Sequence, residues 1–134
     1  MFTLVKYTDL NARQQENYNF HKVAGRLADY GYNSLRLNDD WQGADFLACH
    51  MNGVALLRVQ LKGRMTVDKK YQGKGIHIAF LHNDECYVYP HDEVMTEILS
   101  LNKINTSKSW SDEGAYSWPN IPSWAQPILS KFRV

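Results

Sequence analysis

Apolar residues first recur at helical spacing. Phe20, Val23, Ala24, Leu27 and Ala28 share one face and predict a helix from about Ala12 to Tyr30. Asn11 is placed to cap it, with Gln14 three residues on in a capping-box relation. Gly31 follows as a C-terminal cap. Glu16 lies four residues before Phe20 and extends the apolar stripe by one turn. The pattern then becomes strand-like, with Tyr32 to Leu37 as a first strand and Asn38-Asp39-Asp40 as a polar turn. Ala44 to His50 is the second strand, and Asn52-Gly53 signals a two-residue hairpin. Val54 to Lys62 is the third and alternates sharply. Leu57, Val59 and Leu61 point one way; Arg58, Gln60 and Lys62 point the other.

Gly63 to Gly75 is expected as a basic, glycine-bounded loop. Two further strands, Gly75 to Leu81 and Cys86 to Tyr89, are joined by a turn at His82-Asn83-Asp84-Glu85. A helix from about His91 to Leu101 places Asp92 and Glu93 in its first turn and buries Val94, Met95, Ile98 and Leu99. The remainder carries Trp110, Trp118 and Trp124 with Pro119, Pro122 and Pro127, and a short final helix is expected from about Ser123 to Phe132. Three tryptophans are costly to leave in water, so this tail is ordered, as a packing cap, a subunit contact or, less favoured, a base-stacking surface. The element order predicts an α/β (α+β) fold with a mixed central β-sheet flanked by helices. We expect one domain over 1–134, with a core at about 12–101 and a Trp/Pro-rich extension at 102–134.

Composition narrows the class. In 134 residues, 44% are hydrophobic and 22% charged, which is a globular rather than a disordered balance. No apolar run is long enough to cross a bilayer, and the first ten residues lack a signal-peptide pattern. Cys49 and Cys86 form neither a disulfide scaffold nor a zinc motif, so a reducing cytoplasm is the expected setting. The five histidines show no ligand spacing; His77 is a candidate for the site face, with a structural role favoured.

The net charge of +1 taken alone argues against a nucleic-acid partner. That average conceals a segment. Arg58 to Gly75 holds six basic residues (Arg58, Lys62, Arg64, Lys69, Lys70, Lys74) against Asp68, a local charge of +5, which leaves −4 for the rest.

The candidate chemistry sits at the head of this segment. Gln60 and Lys62 lie two apart on one strand face, and Asp45 falls opposite or close to them across the hairpin. Glu16 can approach from the first helix. Hard divalent cations take carboxylate, amide and carbonyl oxygens, water and phosphate. Asp45 and Glu16 offer carboxylates, Gln60 an amide oxygen, and Leu61 a main-chain carbonyl. Lys62 can orient an attacking water or stabilise charge on a phosphate. Arg58, Arg64, Lys69, Lys70 and Lys74 suit backbone phosphates. Asp39 and Asp40 form a solvated turn, or one of them contacts a second metal or substitutes for Asp45. Tyr71 and Gln72 either touch bases or fill the loop.

At these residues the chain resembles the PD-(D/E)XK nuclease superfamily, the restriction-endonuclease-like fold. Ala44-Asp45 stands where Pro-Asp is usual, Gln60-Leu61-Lys62 where Glu-X-Lys is usual, and Glu16 where a helical acid occurs in junction resolvases. The resemblance covers about Ala12 to Leu101. It implies a Mg2+-dependent DNA endonuclease, with Mn2+ as a substitute. Asp45, Gln60 and Glu16 would hold the metal, with Lys62 serving the water. Two strands must be cut, so it also implies a homodimer or higher homo-oligomer. Gln60 removes a negative charge from the family's metal site, although a homing-endonuclease branch carries Gln here. This change supports an alternative: a catalytically inactive nuclease-fold module that binds nucleic acid or regulates. A partner-binding role for the tryptophan tail is a third.

Overall fold

The computed structural model describes residues 1–134. Helix α1 (Ala12–Ala28) begins at the expected capping box. The Asn11 side chain accepts from the Gln14 N–H, and the Gln14 side chain accepts from the Asn11 N–H. Its buried residues Phe20, Val23 and Leu27 face a sheet, and Gly31, at φ +86°, turns the chain into the first strand. The apolar stripe starts at Phe20. Glu16, one turn before Phe20 on the same stripe, is exposed, as an end-of-helix carboxylate facing water would be, and pairs with Arg36 on the first strand.

Strands β1 (Tyr32–Trp41), β2 (Ala44–His50) and β3 (Leu56–Leu61) form an antiparallel meander. Two turns differ from expectation. Asn38-Asp39-Asp40 is not a turn but the irregular end of β1. The reversal falls at Gln42-Gly43, where both residues have positive φ (54° and 88°) and the Asp40 carboxylate accepts the Gly43 N–H. Nor is Asn52-Gly53 a two-residue hairpin. The His50 N–H reaches the Ala55 carbonyl, and the Asn52 side chain accepts from both Val54 and Ala55 N–H groups. The side-chain bonds of Asn52 close a wider loop, so β3 starts at Leu56 rather than Val54.

Strands β5 (Ile76–His82) and β6 (Glu85–Pro90) form a hairpin through Asn83-Asp84, both at positive φ. β5 lies parallel to β3, which completes a mixed five-stranded sheet in the order β1-β2-β3-β5-β6. The fold is thus the expected mixed sheet flanked by helices. α1 covers one face with Phe46, Ala48, Val59, Ala79 and Val88. The other face carries α2 (His91–Ser100) and the larger core.

The segment Gly63–Gly75 is not only a loop. It contains β4 (Met65–Asp68) and a 3-10 turn over Lys69–Tyr71. Met65, Thr66 and Val67 are buried, because the tail supplies a partner, β7 (Ala115–Trp118), in a separate two-stranded sheet. The tail also sends Ile104, Trp110, Trp118, Ala125, Ile128 and Leu129 into the larger core. The expected final helix is three short turns, the middle one α3 (Gln126–Leu129). Both cysteines are free thiols, and burial pushes Cys86 up to about 11. No helix is long and apolar enough to cross a membrane.

Tyr89 ties the two sheets together. Its buried hydroxyl accepts the Thr66 N–H and donates to the Thr66 carbonyl. Tyr89→Phe leaves both groups of Thr66 without that partner. Urea denaturation should show a loss of roughly 2 kcal/mol; an unchanged midpoint would mean that the bridge adds nothing.

Candidate active site

The β2–β3 register places Phe46 beside Val59, under α1. One step along, the same register carries Asp45 opposite Gln60, at the open end of the β2–β3 pair. The ladder ends here, and the next amide of β3 is free of it. Asp45 takes it: Oδ2 accepts the Leu61 N–H at 2.9 Å. Asp45, Gln60, Leu61, Lys62 and Glu16 line one cleft of about 380 Å³, with Tyr7 and Gln15 at its rim. The four side chains singled out from sequence are therefore brought together, with Glu16 contributed by α1.

The electrostatics are those of a site short of positive charge. Burial raises the Asp45 carboxyl above its usual range. The Leu61 N–H opposes this, the charges of Asp40 and Glu16 add to it, and Lys62 relieves it last. Gln60 is only 9% exposed. Its Nε2 donates to the Leu61 carbonyl at 3.3 Å, while its buried Oε1 has no partner. An orphaned amide oxygen opposite a desolvated carboxylate fits a hard cation, which would satisfy both. No group of three or more His, Cys, Asp or Glu side chains is placed to hold a metal. Any ion here would draw on Asp45, the Gln60 oxygen, Glu16, water and substrate oxygens. The Leu61 carbonyl already accepts from Gln60 and has one further lone pair to give.

Lys62 lies in no ion pair. Its Nζ sits 5.2 Å from the centre of the buried Tyr71 ring, and Lys70 lies 5.1 Å from the same ring. Tyr71 therefore fills the loop interior and carries Lys62. Glu16 Oε1 is 3.3 Å from Arg36, and its other oxygen takes no protein hydrogen bond or ion pair. Asp39 and Asp40 line an adjoining cleft that also contains Glu16 and Asp45.

The basic residues are not gathered into one patch. Arg58 stacks on Trp41 at 5.3 Å and reaches the Lys74 carbonyl, so Arg58, Lys74 and Trp41 share one corner. Arg64 donates to Ser117 on β7, Lys69 lies over Trp110, and Lys70 pairs with Asp68. His77 does not line the cleft. It lies beside Val59 on the α1 side of the sheet, with a buried, unpartnered Nδ1, and burial lowers its pKa against the pull of Glu93.

Sequence reasoning missed Tyr7, Tyr18 and Lys22, which line a second cleft next to the first. The spacing of Tyr18 and Lys22, four apart on the polar face of α1, was the available signal. No protein-family model matches this chain, and no curated protein sequence matches it. Among solved structures, it is similar to a bacterial homing endonuclease, with 19% identity and a TM-score of 0.47, over 62% of this chain and 67% of that one.

Proposed function

We propose that this chain is a Mg2+-dependent DNA endonuclease of the PD-(D/E)XK type. One observation carries the reading. Asp45, Gln60, Lys62 and Glu16, separated by up to 46 positions in the chain, line a single cleft in which a buried amide oxygen lacks a partner. Asp45 and Gln60 hold the ion, Glu16 assists from α1, and Mn2+ substitutes for Mg2+. The bound ion supplies Lewis-acid stabilisation of charge on the phosphate. Lys62, placed by the cation–π contact with Tyr71, orients the attacking water and faces the negative charge that develops on the phosphate oxygens. Water oxygen bonds to phosphorus and gives up a proton to solvent, one phosphorus–oxygen bond to sugar breaks, and the departing oxygen takes up a proton from solvent. Arg58 and Lys74 suit backbone phosphates, as do the less free Arg64, Lys69 and Lys70. A homodimer lets two such sites cut both strands of a duplex.

Calorimetric titration with Mn2+ tests the ion site. One site that Asp45→Asn abolishes is expected; no heat of binding would overturn the metal assignment. DNA binding without ion binding would instead favour the inactive nucleic-acid-binding module, the reading to which Gln60 itself points. Gln60→Glu restores the missing carboxylate and is expected to tighten Mn2+ binding by about tenfold. An unchanged affinity would remove Gln60 from the ligand set.

A further inference from the structure

The cleft missed from the sequence adjoins the candidate active site, and Tyr7, Asn19, Lys62 and Gly63 line both. It has a volume of about 400 Å³ and runs along α1 toward the β5–β6 turn. That volume lies in the range of small-ligand sites and admits about one nucleotide. Its charge is set by Lys22, Arg26 and Lys62 against Asp84. Arg26 is occupied by the carbonyls of Val134 and Asp84, whereas Lys22 and Lys62 are in no ion pair.

The aromatic content is as telling as the charge. Tyr7 and Tyr18 meet edge to face at 5.3 Å, and each keeps about two-fifths of its surface exposed (39% and 40%). The Lys22 ammonium sits 5.3 Å from the Tyr18 ring centre. Exposed aromatic rings flanked by ammonium groups that no carboxylate neutralises are the pattern that binds unpaired nucleotides, with the base on a ring and its phosphate on a cation. A base inside a duplex is already stacked and has no face to offer.

Resting on the nuclease reading, we propose that this cleft is a subsite for an unpaired nucleotide next to the cleaved phosphate. Tyr18 and Tyr7 provide the stacking surface and Lys22 the phosphate contact. The substrate class that follows is DNA with a bulge, flap or branch at the cut, in preference to a continuous duplex.

The test is fluorescence anisotropy in Ca2+ buffer with two labelled probes, a fully paired duplex and the same duplex carrying a short unpaired bulge. The wild-type chain is expected to favour the bulged probe by about tenfold. Tyr18→Ala should remove that preference while changing affinity for the paired probe by about twofold or less. Lys22→Glu, an exposed change on a helix, tests the same subsite if the tyrosine variant does not fold, and should also weaken the bulged probe by about tenfold. Lys103→Ala serves as the charge control outside the cleft. Equal binding of the two probes by the wild type, or equal losses on both, overturns the subsite. If Asp45-dependent cleavage persists while the preference is absent, only the subsite falls. If the wild type binds and cuts neither probe, the nuclease reading falls with it.

Discussion

Asp45→Asn and Lys62→Ala are each expected to reduce Mg2+-dependent DNA cleavage on the order of a thousandfold, with the fold intact. Asn is the same shape as Asp, and its side-chain oxygen can still accept the Leu61 N–H that Asp45 now accepts. What disappears is a charge that the folded chain holds at a disadvantage. Burial, Asp40 and Glu16 raise the Asp45 pKa, so its ionised form favours the unfolded chain. The sign follows: wild-type stability declines as pH rises from 3.8 through the raised folded value, and the deficit persists at neutral pH. Asp45→Asn lacks this deficit. Its melting temperature should equal or exceed that of the wild type while cleavage is lost, a pairing typical of a residue kept for chemistry rather than stability. Chelation by EDTA should stop the wild-type reaction and Mg2+ should restore it. Glu16→Gln, at an exposed residue already shared with Arg36, should cost only about tenfold. Cleavage by Asp45→Asn or Lys62→Ala within tenfold of the wild type would remove these residues from the reaction.

What was legible in the sequence is what local chemistry determines. The capping box at Asn11 and Gln14 formed as expected because two side chains three residues apart satisfy each other without distant help. The alternation of β3 gave its two faces, and with β2 it placed Asp45 near Gln60. The misplaced turns have a local cause of another kind. Asn52-Gly53 resembles a tight hairpin, but Asn52 uses its side chain to bond Val54 and Ala55 instead. The run Asn38–Asp40 looks like a turn by polarity, yet the glycine that permits the reversal is Gly43. What stayed hidden depends on distant partners. Met65–Asp68 is too short to announce itself as a strand, and its partner lies some fifty residues on. The basic segment was legible as charge but not as a surface, since Trp41, Tyr71 and Trp110 each draw cations to different places.

Removing residues 103–134 is expected to abolish cooperative unfolding, not merely to trim an accessory tail. The deletion takes Ile104, Trp110, Trp118, Ala125, Ile128 and Leu129 from the larger core. Large apolar side chains contribute about 1.5–3 kcal/mol each on burial, so the combined loss is roughly 10 kcal/mol. That matches the whole stability of an ordinary domain, about 5–15 kcal/mol. The deletion also strips β4 of its hydrogen-bonded partner and exposes Met65 and Val67 on an open edge. The effect reaches the candidate site through the same segment. Tyr71, which carries Lys62, belongs to this core, and Lys69 just before it packs over Trp110. Trp118→Ala is the milder form, with an expected loss of about 3–5 kcal/mol. Near-UV circular dichroism and thermal melts should show no cooperative transition for the truncated chain and a lowered one for Trp118→Ala. A truncated chain that melts cooperatively and still cleaves DNA would make the tail a separable cap. Unfolding would instead mean that the core under the five-stranded sheet needs the last 32 residues to hold Lys62 over its cleft.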